Sequence, residues 1–174
     1  DPQALQEVQE LLGDSPRSRD LLIEALHLIQ DRYHYLAAKH VVALAHEFKL
    51  APTEVFEVAT FYHHFDVIRE NETPPPSLTV RVCDSMSCRM AGAENLIQEL
   101  DQKFDESIRV QRVPCVGRCQ HAPVAVVGQN PVDLANPVKV LQKTELKETI
   151  PSLPEHVNYN TYRTAGGYQV YQSC

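Results

Sequence analysis

The stretch LTVRVCDSMSC, residues 78–88, decides the fold of this chain together with a later stretch, PCVGRC, residues 114–119. Apolar and polar residues alternate at the start of the first stretch, which predicts a β-strand that runs directly into Cys83. A β-branched pattern over residues 108–113 predicts a second strand that leads into Cys115. Both cysteine pairs, one C-x4-C and one C-x3-C, are therefore expected in loops at the ends of strands.

The residues around these strands complete a small α/β unit. Apolar residues recur at helical spacing over 91–100, a third β-branched run covers 124–127, and another helix is expected over 137–146. The order strand, helix, strand, strand, helix is typical of an α/β domain of thioredoxin-like size. We place this domain at residues 78–150.

The N-terminal part has a different pattern, because its apolar residues recur at helical spacing throughout. Four helices are expected, starting near residues 2, 18, 38 and 52. They predict a bundle over residues 1–68, with Phe61, Tyr62 and Phe65 in its core. Residues 69–77 are polar and contain three consecutive prolines, which predicts a linker. The fold class is therefore α+β, with a four-helix bundle followed by a small α/β domain of thioredoxin-like size.

Composition and charge exclude several classes of protein. The 174 residues carry 16 Lys and Arg against 23 Asp and Glu, a formal net charge of −7, and the basic residues are dispersed. A nucleic-acid partner is not expected, because phosphate neutralisation needs a basic face. No apolar run approaches the ~18 to 20 residues that a membrane span needs. The opening of the chain is acidic and does not resemble a signal peptide, so we expect a soluble, cytoplasmic protein without membrane insertion.

The five cysteines indicate a metal or redox site. They are Cys83, Cys88, Cys115, Cys119 and Cys174, an odd number that argues against a disulfide framework. Three interpretations remain open from the residues alone. A [2Fe-2S] cluster takes four thiolates, a structural zinc ion also accepts four, and a thiol-disulfide enzyme uses a C-x-x-C motif that this chain does not contain. The spacing favours the cluster.

Several neighbouring residues bear on such a site. Gly117 permits a positive φ and a close approach of backbone N–H groups to sulfur. His121 is an alternative ligand but is not needed beside four cysteines, and adjacent His63 and His64 would point about 100° apart on a helix. Four arginines flank the cysteines and either offset cluster charge or are simply solvated; they are Arg81, Arg89, Arg112 and Arg118.

A family resemblance narrows these alternatives. CDSMSC at 83–88 and PCVGRCQHAP at 114–123, with LHLIQDRY at 26–33 and VATFY at 58–62, resemble the small thioredoxin-like [2Fe-2S] subunit of NADH dehydrogenase (complex I). The same sequences are similar to relatives in NAD-reducing hydrogenases and NAD-dependent formate dehydrogenases. The resemblance covers about residues 5–145 and implies that Cys83, Cys88, Cys115 and Cys119 are the cluster ligands. Cys174 lies outside it.

The resemblance also implies a function. The chain would transfer single electrons through its cluster as part of an NAD-linked multisubunit oxidoreductase, exchanging them with a nearby FMN. It would have no complete active site, and FMN and NAD would bind on an adjoining flavoprotein domain or partner. A catalytic subunit with iron–sulfur clusters and molybdenum or tungsten would be the second partner. A zinc-binding interaction domain is the alternative from another functional class.

Two departures from the complex I pattern favour formate dehydrogenase. The segment between the cysteine pairs is shorter than complex I leads us to expect, which is similar to the formate dehydrogenase and hydrogenase branches. Residues 157–171, VNYNTYRTAGGYQVY, resemble the opening of the flavoprotein subunit that binds NADH and FMN. Residues 151–174 are therefore expected to be a linker and the start of a flavoprotein-like domain, in a polypeptide that fuses both subunits.

Overall fold

The computed structural model describes all 174 residues, Asp1–Cys174. Its helices are α1 (Pro2–Leu12), α2 (Leu22–Tyr33), α3 (Ala38–Phe48), α4 (Pro52–Phe61), α5 (Met86–Met90), α6 (Ala93–Lys103), α7 (Pro137–Glu145), α8 (Tyr159–Thr164) and α9 (Gln169–Ser173). Its strands are β1 (Leu36–Ala37), β2 (Val67–Ile68), β3 (Leu78–Cys83), β4 (Ile108–Val113), β5 (Ala125–Val127) and β6 (Asn130–Val132). Single 3₁₀ turns occupy Arg19–Leu21 and Cys119–His121. The element order confirms the α+β class.

The N-terminal helices form one apolar core. At the start of α1 the Asp1 carboxylate accepts hydrogen bonds from the backbone N–H groups of Gln3 at 2.9 Å and Ala4 at 3.2 Å. A carboxylate there satisfies free N–H groups and complements the positive end of the helix dipole. Sixteen residues of α1–α4 and their connections are buried together, with Leu26 and Ile29 fully shielded from water. Burial of this apolar face stabilises the four helices.

The prediction of an aromatic core at the end of α4 is right for one residue only. Phe65 is buried with the other core side chains, whereas Phe61 is 75% exposed and Tyr62 is 41% exposed. Helix α4 ends at Phe61, and the chain then turns before it reaches β2. A side chain in the last turn of a helix is free to leave the apolar face, so helical periodicity alone overestimated the burial of Phe61 and Tyr62.

A four-stranded sheet forms the second half of the fold, in the order β4-β3-β5-β6. Strands β3 and β4 are parallel, with Cys83 opposite Val113, while β5 is antiparallel to both β3 and β6. Strand β6 was not predicted from the sequence. Alternate residues of β3, Val80 and Val82, face a core of 14 buried residues that includes Leu96 of α6. This packing fixes the ends of β3 and β4, where the cysteine loops begin.

The helical part and the sheet meet through polar contacts. Arg109 of β4 donates two hydrogen bonds to the Asp66 carboxylate, at 2.8 and 2.6 Å. Arg81 of β3 donates to the backbone carbonyls of His64 at 3.3 Å and Gly128 at 3.2 Å. The two apolar cores share no residue. The division of the chain at residues 69–77 stays a prediction, and the two separate cores favour it.

The last segment lies outside both cores. Helices α8 and α9 contain no buried residue. The ring of Tyr162 in α8 contacts the ring of Tyr168, the residue before α9, with ring centroids 5.2 Å apart. None of the helices in the chain is both long enough and apolar enough to cross a membrane.

Candidate functional site

One cysteine pair is built into the sheet core. Cys83 is the last residue of β3, and its N–H donates to the Val124 carbonyl at 3.0 Å, so the strand's hydrogen bonding extends to the cysteine itself. Cys88 lies on α5, and the two side chains are only 1% and 2% exposed. The prediction that both pairs lie in loops is therefore wrong for Cys83, which belongs to β3, and for Cys88, which belongs to α5. We call Cys83 and Cys88 the inner pair.

The other pair lies on the surface, in the connection between β4 and β5. Cys115 and Cys119 are exposed free thiols, and their sulfur atoms are 3.3 Å apart. The backbone N–H of Gly117 donates to the sulfur of Cys115 at 3.4 Å, and Gly117 has φ 78°. This agrees with the predicted need for a positive φ and for an N–H group directed at sulfur. We call Cys115 and Cys119 the outer pair.

The pairing of β3 with β4 brings the two pairs to the same edge of the sheet. Burial acts to raise the pKa of Cys83, but hydrogen bonds from Ser85, Cys88 and the Val116 backbone outweigh it and hold that pKa below the ordinary thiol value. Cys83 lies opposite Val113 in the parallel strands, and the Asp84 N–H donates to the Val113 carbonyl at 2.9 Å, so the loop of the outer pair begins beside the inner pair.

The pKa values of two more thiols are raised above the ordinary thiol value. Burial, followed by the hydrogen bond with Cys83, raises the pKa of Cys88 to about 11, and the charge of Cys119 contributes. The pKa of Cys119 is raised mainly by its hydrogen bond with Cys115, while Ser87 acts in the opposite direction. A neighbouring thiolate disfavours a second negative charge, which is why the pKa values of Cys88 and Cys119 rise.

The arrangement of the thiols fits a two-iron group. In a [2Fe-2S] cluster each iron takes two protein ligands, and the four thiols here form two pairs. The donor set, four sulfur atoms with backbone N–H groups nearby, is the type that iron–sulfur clusters use. The assignment of these cysteines as ligands is at this point still a prediction.

Three of the four flanking arginines are paired with carboxylates. Arg89 donates to Asp84 at 2.5 and 2.9 Å, Arg112 to Glu94 at 2.6 and 2.7 Å, and Arg118 to Asp133 at 2.7 and 2.5 Å; Arg81 bonds backbone carbonyls instead. The arginine lowers the pKa of the carboxyl in the pairs at Asp84 and Asp133. Arg89, Arg112 and Arg118 are therefore paired with carboxylates while their side chains stay partly exposed, and their effect on a cluster remains a prediction.

A cleft that the sequence did not predict lies beside the outer pair. Its volume is about 690 Å³, and its walls include His27, His64, Tyr62, Arg81 and Cys115. The rings of His27 and His64 are 4.7 Å apart, whereas His63 is exposed. His63 lines the same cleft as His64, and both histidines lie in a turn after α4, so the prediction that they lie on a helix is wrong. The one signal that could have predicted this cleft is the exposure of Phe61 and Tyr62. Helical periodicity predicts burial for both residues, so the sequence analysis missed it.

The curated relatives of this chain are subunits of oxidoreductases. It is 29% identical over 132 residues to a subunit of the NADH-quinone oxidoreductase of Aquifex aeolicus, covering 71% of this chain and 79% of that one. It is 24% identical over 138 residues to the HndA subunit of the NADP-reducing hydrogenase of Solidesulfovibrio fructosivorans, covering 74% and 78%. It spans only 61% of an NADH-quinone oxidoreductase subunit of Mycobacterium tuberculosis, at 25% identity.

Solved structures share the fold. The chain superimposes on the crystal structure of an NAD⁺-reducing [NiFe]-hydrogenase in the air-oxidized state with a TM-score of 0.61 and 21% identity, covering 92% of this chain and 31% of that one. The sequence profile of the thioredoxin-like [2Fe-2S] ferredoxins matches residues 8–147, a range that contains both cysteine pairs. Since this match covers most of the chain, we conclude that the protein belongs to the thioredoxin-like [2Fe-2S] ferredoxin family.

Proposed function

We propose that this chain holds a [2Fe-2S] cluster on Cys83, Cys88, Cys115 and Cys119 and transfers electrons within an NAD-linked oxidoreductase. The observation that carries the proposal is the placement of two thiol pairs at the adjacent ends of the parallel strands β3 and β4. When bound, the cluster supplies one-electron oxidation and reduction. Family membership and the functions of the relatives support the same conclusion.

The two cysteine pairs have different roles at the site. The inner pair is anchored in the sheet core, so it fixes the position of the group. The outer pair lies at the surface, and an electron partner therefore reaches the site from this side. The Gly117 N–H, directed at the Cys115 sulfur, would stabilise negative charge on that ligand.

Spectroscopy of the purified chain tests this proposal. The chain is prepared anaerobically, reduced with dithionite and examined by EPR, with iron, zinc and acid-labile sulfide measured on the same sample. We expect a reduced-state signal that integrates to one spin per cluster, with labile sulfide present. Stoichiometric zinc without labile sulfide would overturn the proposal in favour of a structural zinc site.

We further propose that the enzyme is an NAD-dependent formate dehydrogenase with molybdenum or tungsten, and that FMN and NAD bind on an adjoining flavoprotein domain in the cytoplasm. The resemblance of residues 157–171 to a flavoprotein opening supports a fused polypeptide. The alignment with a much longer hydrogenase chain, of which this one covers 31%, is compatible with such a fusion. Complex I and an NAD-reducing hydrogenase are the alternatives.

Purification of the native complex through a tag on this chain tests the finer proposal. The complex is assayed for NAD⁺ reduction with formate and with hydrogen, and for quinone reduction with NADH. Formate-dependent NAD⁺ reduction, with FMN and molybdenum or tungsten in the sample, is the expected result. NAD⁺ reduction with hydrogen but not with formate would assign the chain to an NAD-reducing hydrogenase. Quinone reduction with NADH, without activity on formate or hydrogen, would assign it to complex I.

A further inference from the structure

The two cysteine pairs differ in their access to solvent. The inner pair is at most 2% exposed and belongs to the apolar core of the sheet. The outer pair is exposed, and its two sulfur atoms are already 3.3 Å apart without a bond between them. Reagents dissolved in water therefore reach the outer pair and are kept from the inner pair.

We propose that the cluster-free chain has an oxidative modification site at the outer pair, where Cys115 and Cys119 form an intramolecular disulfide by exchange with a low-molecular-weight disulfide. The modified chain does not accept a cluster until the bond is reduced. This inference goes beyond the proposed electron transfer, because it concerns the chain before the cluster is inserted.

The geometry permits the bond with a small local movement. A disulfide has an S–S distance of about 2.05 Å, so the two sulfur atoms must approach by about 1.2 Å. The three residues between them include Gly117, which has open space around its Cα and a backbone that tolerates unusual φ values. Neither sulfur is held in a packed core. The sheet and its core therefore need not change when the bond forms.

The chemistry balances with one molecule of oxidised glutathione as the oxidant. One thiolate of the outer pair attacks a glutathione sulfur, the glutathione S–S bond breaks, and one reduced glutathione leaves. The second thiol then attacks the protein sulfur of the mixed disulfide, the Cys115–Cys119 bond forms, and the second glutathione leaves. The protein loses two hydrogen atoms, and the glutathione disulfide becomes two thiols.

The consequence for cluster assembly follows from the ligand count. A [2Fe-2S] cluster of this type needs four thiolates, and the disulfide removes two of them. A dithiol reductant restores both and with them the capacity to bind iron. The inner pair remains reduced throughout because its sulfur atoms are buried.

The full 174-residue chain with Cys174→Ser tests the proposal, since Cys174 is a further exposed thiol. It is stripped of metal anaerobically with a chelator and dithiothreitol, exchanged into buffer and incubated with oxidised glutathione. Intact mass and disulfide peptide mapping are the first readout. We expect the loss of two hydrogen atoms and a single linked peptide pair that joins Cys115 to Cys119.

Two sets of variants make the result specific. In Cys115→Ala or Cys119→Ala the remaining outer thiol should retain glutathione as a mixed disulfide, because its resolving partner is missing. Cys83→Ala and Cys88→Ala should still form the outer disulfide. Three results would overturn the proposal. They are a disulfide between Cys83 and Cys88, a disulfide between the inner and the outer pair, and a stable glutathione adduct on a chain that retains both outer cysteines.

Cluster loading is the second readout. The oxidised chain is offered ferrous iron and sulfide, before and after treatment with dithiothreitol. We expect iron uptake to be lost and then to return. Equal iron uptake by the oxidised and the reduced chain would overturn the proposal that the disulfide prevents cluster binding. The mass measurement does not depend on which metal group the chain holds. Failure of the modification and failure of the proposed function are therefore distinguishable.

Discussion

The inner and outer cysteine pairs reach the same site by different physical means. Cys83 and Cys88 are held by the strand hydrogen bonding of β3, the short helix α5 and the apolar core. Cys115 and Cys119 are held by an exposed loop whose shape depends on Gly117 and on contacts of its neighbours. Replacement of an inner cysteine should therefore affect folding and ligation, and replacement of an outer one should affect ligation alone.

The largest effect expected from this comparison concerns the stability of the cluster-free chain. Cys88→Ser places a hydroxyl in the apolar core, so we expect the free energy of unfolding to fall by about 1 to 3 kcal/mol. Cys119→Ser changes an exposed atom and should alter it by about 0.5 kcal/mol or less. Urea unfolding of both reduced, metal-free variants measures the difference. Equal losses would show that the two pairs are equally integrated in the fold.

The next effect tests the backbone of the outer loop. Gly117→Val forces a β-branched residue to φ 78° and should cost about 1 to 3 kcal/mol in backbone strain. No atom lies within 4 Å of the position that a Cβ would occupy, so steric collision is not the cause. We expect reduced iron retention, measured after exposure to a chelator.

Gly117→Asn is the matched control for the same position. Asparagine adopts positive φ more readily than other non-glycine residues, so this variant should retain most of its iron. Equal iron loss in both variants would attribute the effect to the side chain and not to the backbone conformation.

A smaller effect is expected for the charges beside the outer pair. Because Arg118 is bound to Asp133, Arg118→Gln leaves an unpaired carboxylate and should lower the reduction potential of the site, while Asp133→Asn should raise it. Each shift should be tens of millivolts and less than the ~59 mV that equals a tenfold change for one electron. The double variant should lie close to the unmodified chain. If redox titration gave potential shifts of the same sign for Arg118→Gln and Asp133→Asn, the opposite effects predicted for the two charges would be contradicted.

The smallest effect concerns acid. The Arg118 guanidinium holds the pKa of Asp133 below its ordinary value of 3.8. A carboxyl whose pKa is lowered by folding stabilises the fold when the pH is above the pKa of the unfolded state. That contribution is lost as the pH falls through the pKa of the folded state. We expect Asp133→Asn to lose less stability than the unmodified chain between about pH 5 and pH 3. Parallel pH profiles from urea unfolding would show that the ion pair contributes nothing.

The sequence was informative wherever the structure is set by local patterns. Alternation along β3 and β4 predicted two strands that end at cysteines, and the glycine between the outer cysteines predicted a positive φ. Helix α5 was missed because five residues are too few for a helical period to show. The sequence pattern also did not predict the ion pair between Arg118 and Asp133. The two residues are 15 positions apart, and no local pattern connects them. The exposure of Phe61 depends on where α4 ends, which periodicity does not determine.

Iron and acid-labile sulfide per chain, measured across single alanine variants, test the central claim most directly. The unmodified chain and Cys174→Ala should each contain about two irons and two labile sulfides. Replacement of Cys83, Cys88, Cys115 or Cys119 by alanine should remove most of both. Full cluster content in any of these four variants, or loss of iron in Cys174→Ala, would contradict the assignment of the two pairs as the ligands of one cluster.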